Sequence, residues 1–274
     1  MIAIVTDSAS MLPASLQTRY GIVVVPLTIT IDGRDHAEGV DLAIGEFYER
    51  LTRGAVVTTA TPSPGAFVDA YQSAASAGAE AVLSVHTGAA YSATVASATV
   101  AAELVDIPVT IVDTGVASFP VALAVWSAAE ELTRGAPIED AAAVARETAR
   151  RTGSLFVVGV PEVARRGGRF VAVDGELTAT TVLLLLDGRL EEYQRVIDID
   201  AAVDVMVEGT LRIAGEQPLR VGVGHAVNHD VAALLIERLA PGPGIVDVTM
   251  YEVGPSVGAH TGAGTFGVVY APVE

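Results

Sequence analysis

A two-domain α/β fold is predicted for this chain, with a parallel-sheet domain in the N-terminal part and a mixed-sheet domain in the C-terminal part. Three observations predict it. Through the first half, short continuous apolar runs alternate with helical patterns, as parallel strands covered by helices do. In the second half, an apolar run broken by Asp187-Gly188 reads as an antiparallel hairpin. The length, 274 residues, suits two domains of ordinary size with substantial cores. The boundary falls near Thr152, giving domains of 1–152 and 153–274.

Taken in order, Ile2 to Val5 reads as a buried strand, followed by turn and cap residues Asp7, Ser8 and Ser10. Pro13 suits the first turn of a helix running to about Tyr20. The β-branched run Ile22 to Ile31 reads as one strand closed by Asp32-Gly33. Leu42 to Leu51 is a short amphipathic helix, and Ser63-Pro64 caps another that continues to about Ala77. Ala81 to Val85 is a strand, followed by the AAYSAT loop and an alanine-rich helix to Leu104. Val109 to Val112 is a strand, and helices follow near Phe119 to Thr133 and Ile138 to Arg151.

Beyond the boundary, Leu155 to Val160 is a strand, Pro161 to Arg166 a helical turn and RRGGRF a basic glycine turn. Val182 to Leu186 and Arg189 to Ile197 form the hairpin, with a type I′ turn between them. A helix near Ala201 to Ile213, a strand at Val221 to Val223, a helix at Asp230 to Leu239 and two terminal strands complete the chain.

Composition bounds the chemistry. With 51% hydrophobic but only 5% aromatic residues, the core is expected to be aliphatic. Cysteine is absent, which excludes disulfides, thiolate metal sites and cysteine nucleophiles. All 16 basic residues are arginine, so Schiff-base chemistry and a P-loop lysine are excluded too. A net charge of −17 argues against nucleic acid and anionic membrane surfaces as partners. The N-terminus lacks the basic region of a signal peptide, and the longest apolar stretch, Val116 to Ala129, is short for a bilayer and contains Pro120. A cytoplasmic protein with no stable membrane insertion is expected.

Three loops carry the chemistry that remains. GAHTGAGTFG, Gly258 to Gly267, sets His260 and Thr261 among glycines, where backbone can approach a ligand closely. Thr58, Thr59, Thr61 and Ser63 crowd a second loop, and Ser92 stands in a third, just before a helix. Hydroxyls at helix starts are ordinarily caps and turns. They also sit beside unpaired N–H groups and a positive dipole end, which favours an anion. Three such loops together suit a carboxylate or phosphate held without lysine.

GAGTFG matches the dinucleotide fingerprint in spelling alone, because a strand-like run and not a helix follows it. Ser92 with His260 would make a serine-dependent lipid or ester hydrolase, but no GxSxG elbow surrounds Ser92. His36, His86, His225 and His229 lack metal-ligand spacing, so neither metal nor cofactor is expected. Arg165, Arg166 and Arg169 form the dense basic cluster, read either as a solvated turn or as a contact for an acidic partner.

IVTDSAS (4–10), TTATPSPGAF (58–67), SATVASA (92–98), VDTGVAS (112–118), RRGGRF (165–170), LLLLDGRLE (183–191) and GAHTGAGTFG (258–267) occur in an order that resembles the DegV family. These fatty-acid-binding proteins include the FakB subunits of bacterial fatty acid kinase. The resemblance implies one long-chain fatty acid bound in a tunnel between the two domains. It implies that Thr59, Ser92 and His260 bind the carboxylate, with Thr61 and Thr261 in support. It also implies a carrier without catalytic residues of its own, serving phospholipid metabolism, and a fatty acid kinase catalytic subunit that meets Arg169 and Arg195. The sequence departs from the family where TSQP becomes Thr59-Ala60-Thr61-Pro62, where SGTY becomes Ser92-Ala93-Thr94-Val95, and at Gly88 in place of a common serine.

Overall fold

The computed structural model describes residues 1–166, 178 and 180–273. They divide into two compact units, Met1–Leu42 with Thr58–Arg150, and Ala43–Val57 with Arg151–Glu274.

In the first unit, strands β1 (Ile2–Asp7), β2 (Val23–Val25), β6 (Ala81–His86) and β7 (Val109–Asp113) form one sheet in the order β2-β1-β6-β7. Every neighbouring pair is parallel. The apolar runs of these strands require cover, and helices supply it. α3 (Pro64–Ser76) and α4 (Thr94–Ala102) pack Phe67, Tyr71, Ala98 and Ala101 against Val5 and Val82. α5 (Phe119–Thr133) and α6 (Ile138–Arg150) lie against the same sheet. Phe119 through Val125 are buried without a break, so the first two turns of α5 are enclosed all round, as their apolar sequence requires, while Glu130 and Glu131 at its other end are partly exposed. α1 (Ala14–Tyr20) follows Pro13 and ends at Gly21.

The single strand expected over Ile22 to Ile31 is instead two. Pro26 supplies no N–H to a ladder, and the chain leaves the parallel sheet there. β3 (Thr28–Ile31) pairs antiparallel with β4 (Arg34–Ala37) across Asp32 and Gly33, at φ 51° and 81°. β5 (Val57–Ala60) completes a separate sheet in the order β4-β3-β5. Neither β4 nor β5 follows from the apolar pattern, because RDHA and VTTA carry too few apolar residues to show one.

In the second unit, six strands run in the order β10-β9-β8-β13-β11-β12. They are β8 (Gly153–Val157), β9 (Thr181–Leu186), β10 (Arg189–Arg195), β11 (Leu219–His225), β12 (Ile245–Glu252) and β13 (Phe266–Pro272). β11 and β12 are parallel, joined through α9 (His229–Leu239), and the other pairs are antiparallel. The sheet is therefore mixed. The β9–β10 turn has Asp187 at φ 50° and Gly188 at φ 71°, the conformation a type I′ turn demands. β8 begins at Gly153 and stops at Val157, earlier at both ends than the expected Leu155 to Val160.

α8 (Ile199–Ala214) is capped by Asp198, whose Oδ1 accepts the Ala201 N–H at 2.8 Å. It packs Val203 and Met206 against Leu219, Val221 and Phe266. α2 (Ile44–Thr52), α7 (Pro161–Arg166) and α10 (Pro255–Thr261) complete the unit. Aliphatic side chains dominate both cores, yet the largest fully buried side chains are the aromatics Tyr48, Tyr71, Phe47, Phe67, Phe119 and Phe266. The expected aliphatic core is present, with aromatics at its largest positions. Aromatics are few, and the interior takes most of them because each buries a large apolar area.

Candidate functional site

Ser92 hangs from the end of the central strand pair. β6 delivers the chain to a loop, 87–93, whose first backbone groups are fastened one after another. The Thr87 N–H donates to Asp7 Oδ2 at 3.0 Å, the Gly88 N–H to the Val116 carbonyl at 2.7 Å, and the Ala89 N–H to Asp113 Oδ1 at 3.2 Å. The Tyr91 and Ser92 N–H groups then turn back to the Gly88 carbonyl at 2.9 and 3.1 Å. At Gly88 only glycine fits, since a Cβ would stand 2.6 Å from the Gly115 carbonyl carbon.

Ser92 itself is half-buried. Its Oγ lies 2.7 Å from Thr94 Oγ1 and accepts the Thr94 N–H at 3.3 Å. The cap reading therefore shifts by one residue: Ala93 is the N-cap, and Ser92 serves the helix start from the position before it.

Thr59 belongs to β5 and is half-buried, with Thr58 and Ala60 exposed on either side. The loop expected here begins only after Ala60. Half-buried Thr61 follows the strand, and Ser63 is the N-cap of α3, its Oγ accepting the Ala66 N–H at 3.2 Å. Thr59 and Ser92 both lie in the first unit.

His260 lies in the second unit and is also half-buried. It is not in a glycine loop, as the sequence suggests, but in the last turn of α10. The helix ends at Gly262, whose φ of 80° is open to glycine at little strain. α10 rests on α2, where the Tyr48 hydroxyl donates to the Val253 carbonyl at 2.7 Å. Gly258 leaves the space that the Tyr48 phenol occupies. Thr261 is buried, and its hydroxyl donates to the Val257 carbonyl of its own helix at 3.4 Å. Thr265 closes the segment by donating to the Thr261 and Gly262 carbonyls. β13 follows, so GAGTFG precedes a strand and opens no helix.

Arg195, at the end of β10, pairs with Glu192 at 2.9 Å on the exposed hairpin. Arg169 lies outside the described residues, and of Arg165 and Arg166 only the helical backbone of α7 is described.

A buried polar chain went unseen in the sequence. Asp7 Oδ2 lies 3.0 Å from His86 Nδ1, His86 Nε2 lies 2.6 Å from Ser84 Oγ, and Ser84 Oγ lies 2.8 Å from the Tyr71 hydroxyl. These are the spacings of a Ser-His-Asp triad. However, all four side chains are fully buried and Ser84 is shared with Tyr71, so an ester has no route to the serine. Burial pushes the Tyr71 phenol up to about 12, against the lowering from its bond to Ser84, so it stays protonated. The signal was present. Ser84 and His86 are two apart on a strand and share a face, and Asp7 ends the neighbouring strand.

In the second unit, burial holds the His225 imidazole below its ordinary value, Glu252 opposes that shift, and His229 adds to it. Its Nδ1 is buried without a hydrogen-bond partner among the described residues. Among the described residues, no group of three or more His, Asp or Glu side chains is gathered to hold a metal ion. Among them, too, no helix is long and apolar enough to cross a membrane.

A protein-family model described as "Uncharacterised protein, DegV family" matches residues 1–273. A DegV domain-containing protein of Streptomyces coelicolor is 36% identical over 273 residues, covering 98% of this chain and 97% of its own. Among solved structures, one concerned with the fatty acid binding of a DegV family protein from Thermus thermophilus aligns at a TM-score of 0.88. It is 31% identical and covers 99% of both chains. A Thermotoga maritima protein whose structure reveals a fatty acid binding function aligns at 0.85 with 28% identity, again over 99% of both chains.

Proposed function

The chain belongs to the DegV family, and from that premise we propose that it is a carrier that binds one long-chain fatty acid and presents the carboxylate to a partner kinase. The supporting observation is the end-to-end likeness to solved DegV proteins described by their fatty acid binding. Thr59 Oγ1, Ser92 Oγ and a ring N–H of His260 each donate one hydrogen bond to the carboxylate, with Thr61 and Thr261 in support. All three donors are half-buried, which keeps them within reach of a ligand while limiting competition from water.

The acyl tail lies along aliphatic side chains. At about 0.8 kcal/mol per buried CH₂, a long tail gives a gross gain of order ten kcal/mol, from which ordering and association costs subtract. The tail therefore supplies most of the affinity, and the headgroup donors set direction and select an acid over an alcohol. In the proposed kinase step, a carboxylate oxygen attacks the γ-phosphorus of ATP held by the partner. The new O–P bond forms as the bond to the β-phosphate oxygen breaks, giving acyl phosphate and ADP. Arg169 and Arg195 are proposed contacts for that partner.

Organic extraction of the purified protein followed by mass spectrometry is expected to release about one fatty acid per chain. His260→Ala is expected to weaken binding of the acid roughly ten- to a hundredfold, the worth of a bond to a charged group, while the matching alcohol is little affected. Protein that is empty and takes up no added acid refutes the carrier, and equal losses for acid and alcohol reassign His260 to packing. Turnover of an acyl ester without a partner, or fluorophosphonate labelling of Ser92, would favour the hydrolase instead.

A further inference from the structure

We infer that Asp113, whose carboxylate accepts from the Ala89 and Gly115 N–H groups, is the positioning residue that sets the Ser92 hydroxyl for headgroup recognition; this rests on the carrier reading above. The backbone N–H groups of Thr87, Gly88 and Ala89 are all engaged from outside their loop, by Asp7, Val116 and Asp113. The flanking strands explain how. β6 lies between β1 and β7, and each neighbour ends in an aspartate, Asp7 on one side and Asp113 on the other. Asp113 is register-paired with His86, the last residue of β6, so its carboxylate stands beside the loop as it departs.

One oxygen, Asp113 Oδ1, accepts two N–H groups: Ala89 at 3.2 Å and Gly115 at 2.9 Å. It thereby ties the Ser92 loop to the loop after β7. Gly88 and Gly115 approach closely between those bonds, and the Gly88 carbonyl in turn holds the Ser92 N–H. Ser92 is thus linked to Asp113 by two hydrogen bonds joined through the Gly88–Ala89 peptide unit.

The two aspartates differ in what they can be asked. Asp7 is fully buried and its removal orphans buried donors, so a variant there reports folding. Asp113 is exposed, so water replaces it for Ala89 and Gly115, and its loss frees the loop without emptying a core. Asparagine retains the accepting oxygen.

The test measures dissociation constants for a long-chain fatty acid and its alcohol with delipidated full-length protein, using the wild type, D113A, D113N, S92A and S92A/D113A, each checked by its urea midpoint. D113A is expected to weaken the acid roughly three- to tenfold, to leave the alcohol unchanged, and to add no further loss in the S92A background. D113N is expected to recover most of the affinity. Equal losses for acid and alcohol, additivity with S92A, or a D113N as weak as D113A would overturn the assignment. A wild type that binds no acid, or an S92A that binds it normally, removes the carrier reading or Ser92's part in it, and this inference with it.

Discussion

Asp7 holds one end of the buried polar chain, and the order in which that chain fails on mutation tests how it is polarised. A carboxylate only accepts. Its Oδ2 takes the N–H groups of His86 Nδ1 and Thr87, each at 3.0 Å, and its Oδ1 takes the Thr87 hydroxyl at 3.0 Å. With that end fixed, a neutral imidazole has Nε2 accepting from Ser84, which in turn accepts from Tyr71, and this is the polarity proposed for the chain. Asp7→Ala leaves three buried donors without an acceptor, at about 1–3 kcal/mol each. The sum rivals the whole stability of an ordinary domain, and this variant is expected not to fold.

Asp7→Asn keeps one oxygen. Its best placement turns the NH₂ toward Thr87 Oγ1, which can accept, and the oxygen toward the two N–H groups. The loss is then the charge-assisted excess of two bonds, about 2 kcal/mol. Tyr71→Phe removes one neutral bond at the far end, about 1 kcal/mol. Urea denaturation followed by the fluorescence of Trp126 reads this order, because Trp126 is the only tryptophan and is buried in α5 of the same unit. An Asp7→Asn variant no weaker than Tyr71→Phe, or a stably folded Asp7→Ala, would refute the proposed polarity.

Two further expectations concern pH and backbone. The folded His225 is held below its ordinary 6.5, so the unfolded chain takes the proton first as pH falls. The stability it contributes is complete above about 6.5 and is lost as pH drops through that value toward the folded one. Urea midpoints by far-UV circular dichroism at pH 7.5 and 5.5 should therefore fall more for the wild type than for His225→Gln, and parallel falls would count against it. Gly88→Ala places a Cβ within 2.6–2.8 Å of Gly115 and Val116 backbone atoms. It is expected to cost about 1–3 kcal/mol and to weaken acid binding with it. An unchanged midpoint would show that the two loops part easily.

Sequence reading succeeded where the signal was local and strong. The apolar runs of β1, β6 and β7, the Asp187-Gly188 turn and the Ser63-Pro64 helix start are each set by residues within a few positions of one another. It failed where partners lie far apart in the chain. One proline split the expected strand at 22–31, and the polar strands β4 and β5 show no period because their pairing comes from β3. Local pattern recovers the α2 helix, but nothing local assigns residues 43–57 to the second unit; the seat of α10 on α2 and the Tyr48 bond to Val253 do.

Of the candidate donors, Ser92 and His260 stand out along the sequence by residue type and small neighbours and Thr59 only as one of four crowded hydroxyls, and it is the family resemblance that proposes the three as a set. Their settings, one on a strand, one ahead of an N-cap and one in a final helical turn, belong to the tertiary structure, because hydrogen-bond partners and not composition fix them. The same holds for Asp7, His86, Ser84 and Tyr71. Each is unremarkable along the chain, and only the parallel register of β1 and β6 brings a carboxylate, an imidazole and a hydroxyl into line. Sequence determines which chemical groups are present and the local conformations they favour. Which distant groups meet is decided when strands and helices share a core, since burial leaves each polar atom no partner except those the fold delivers.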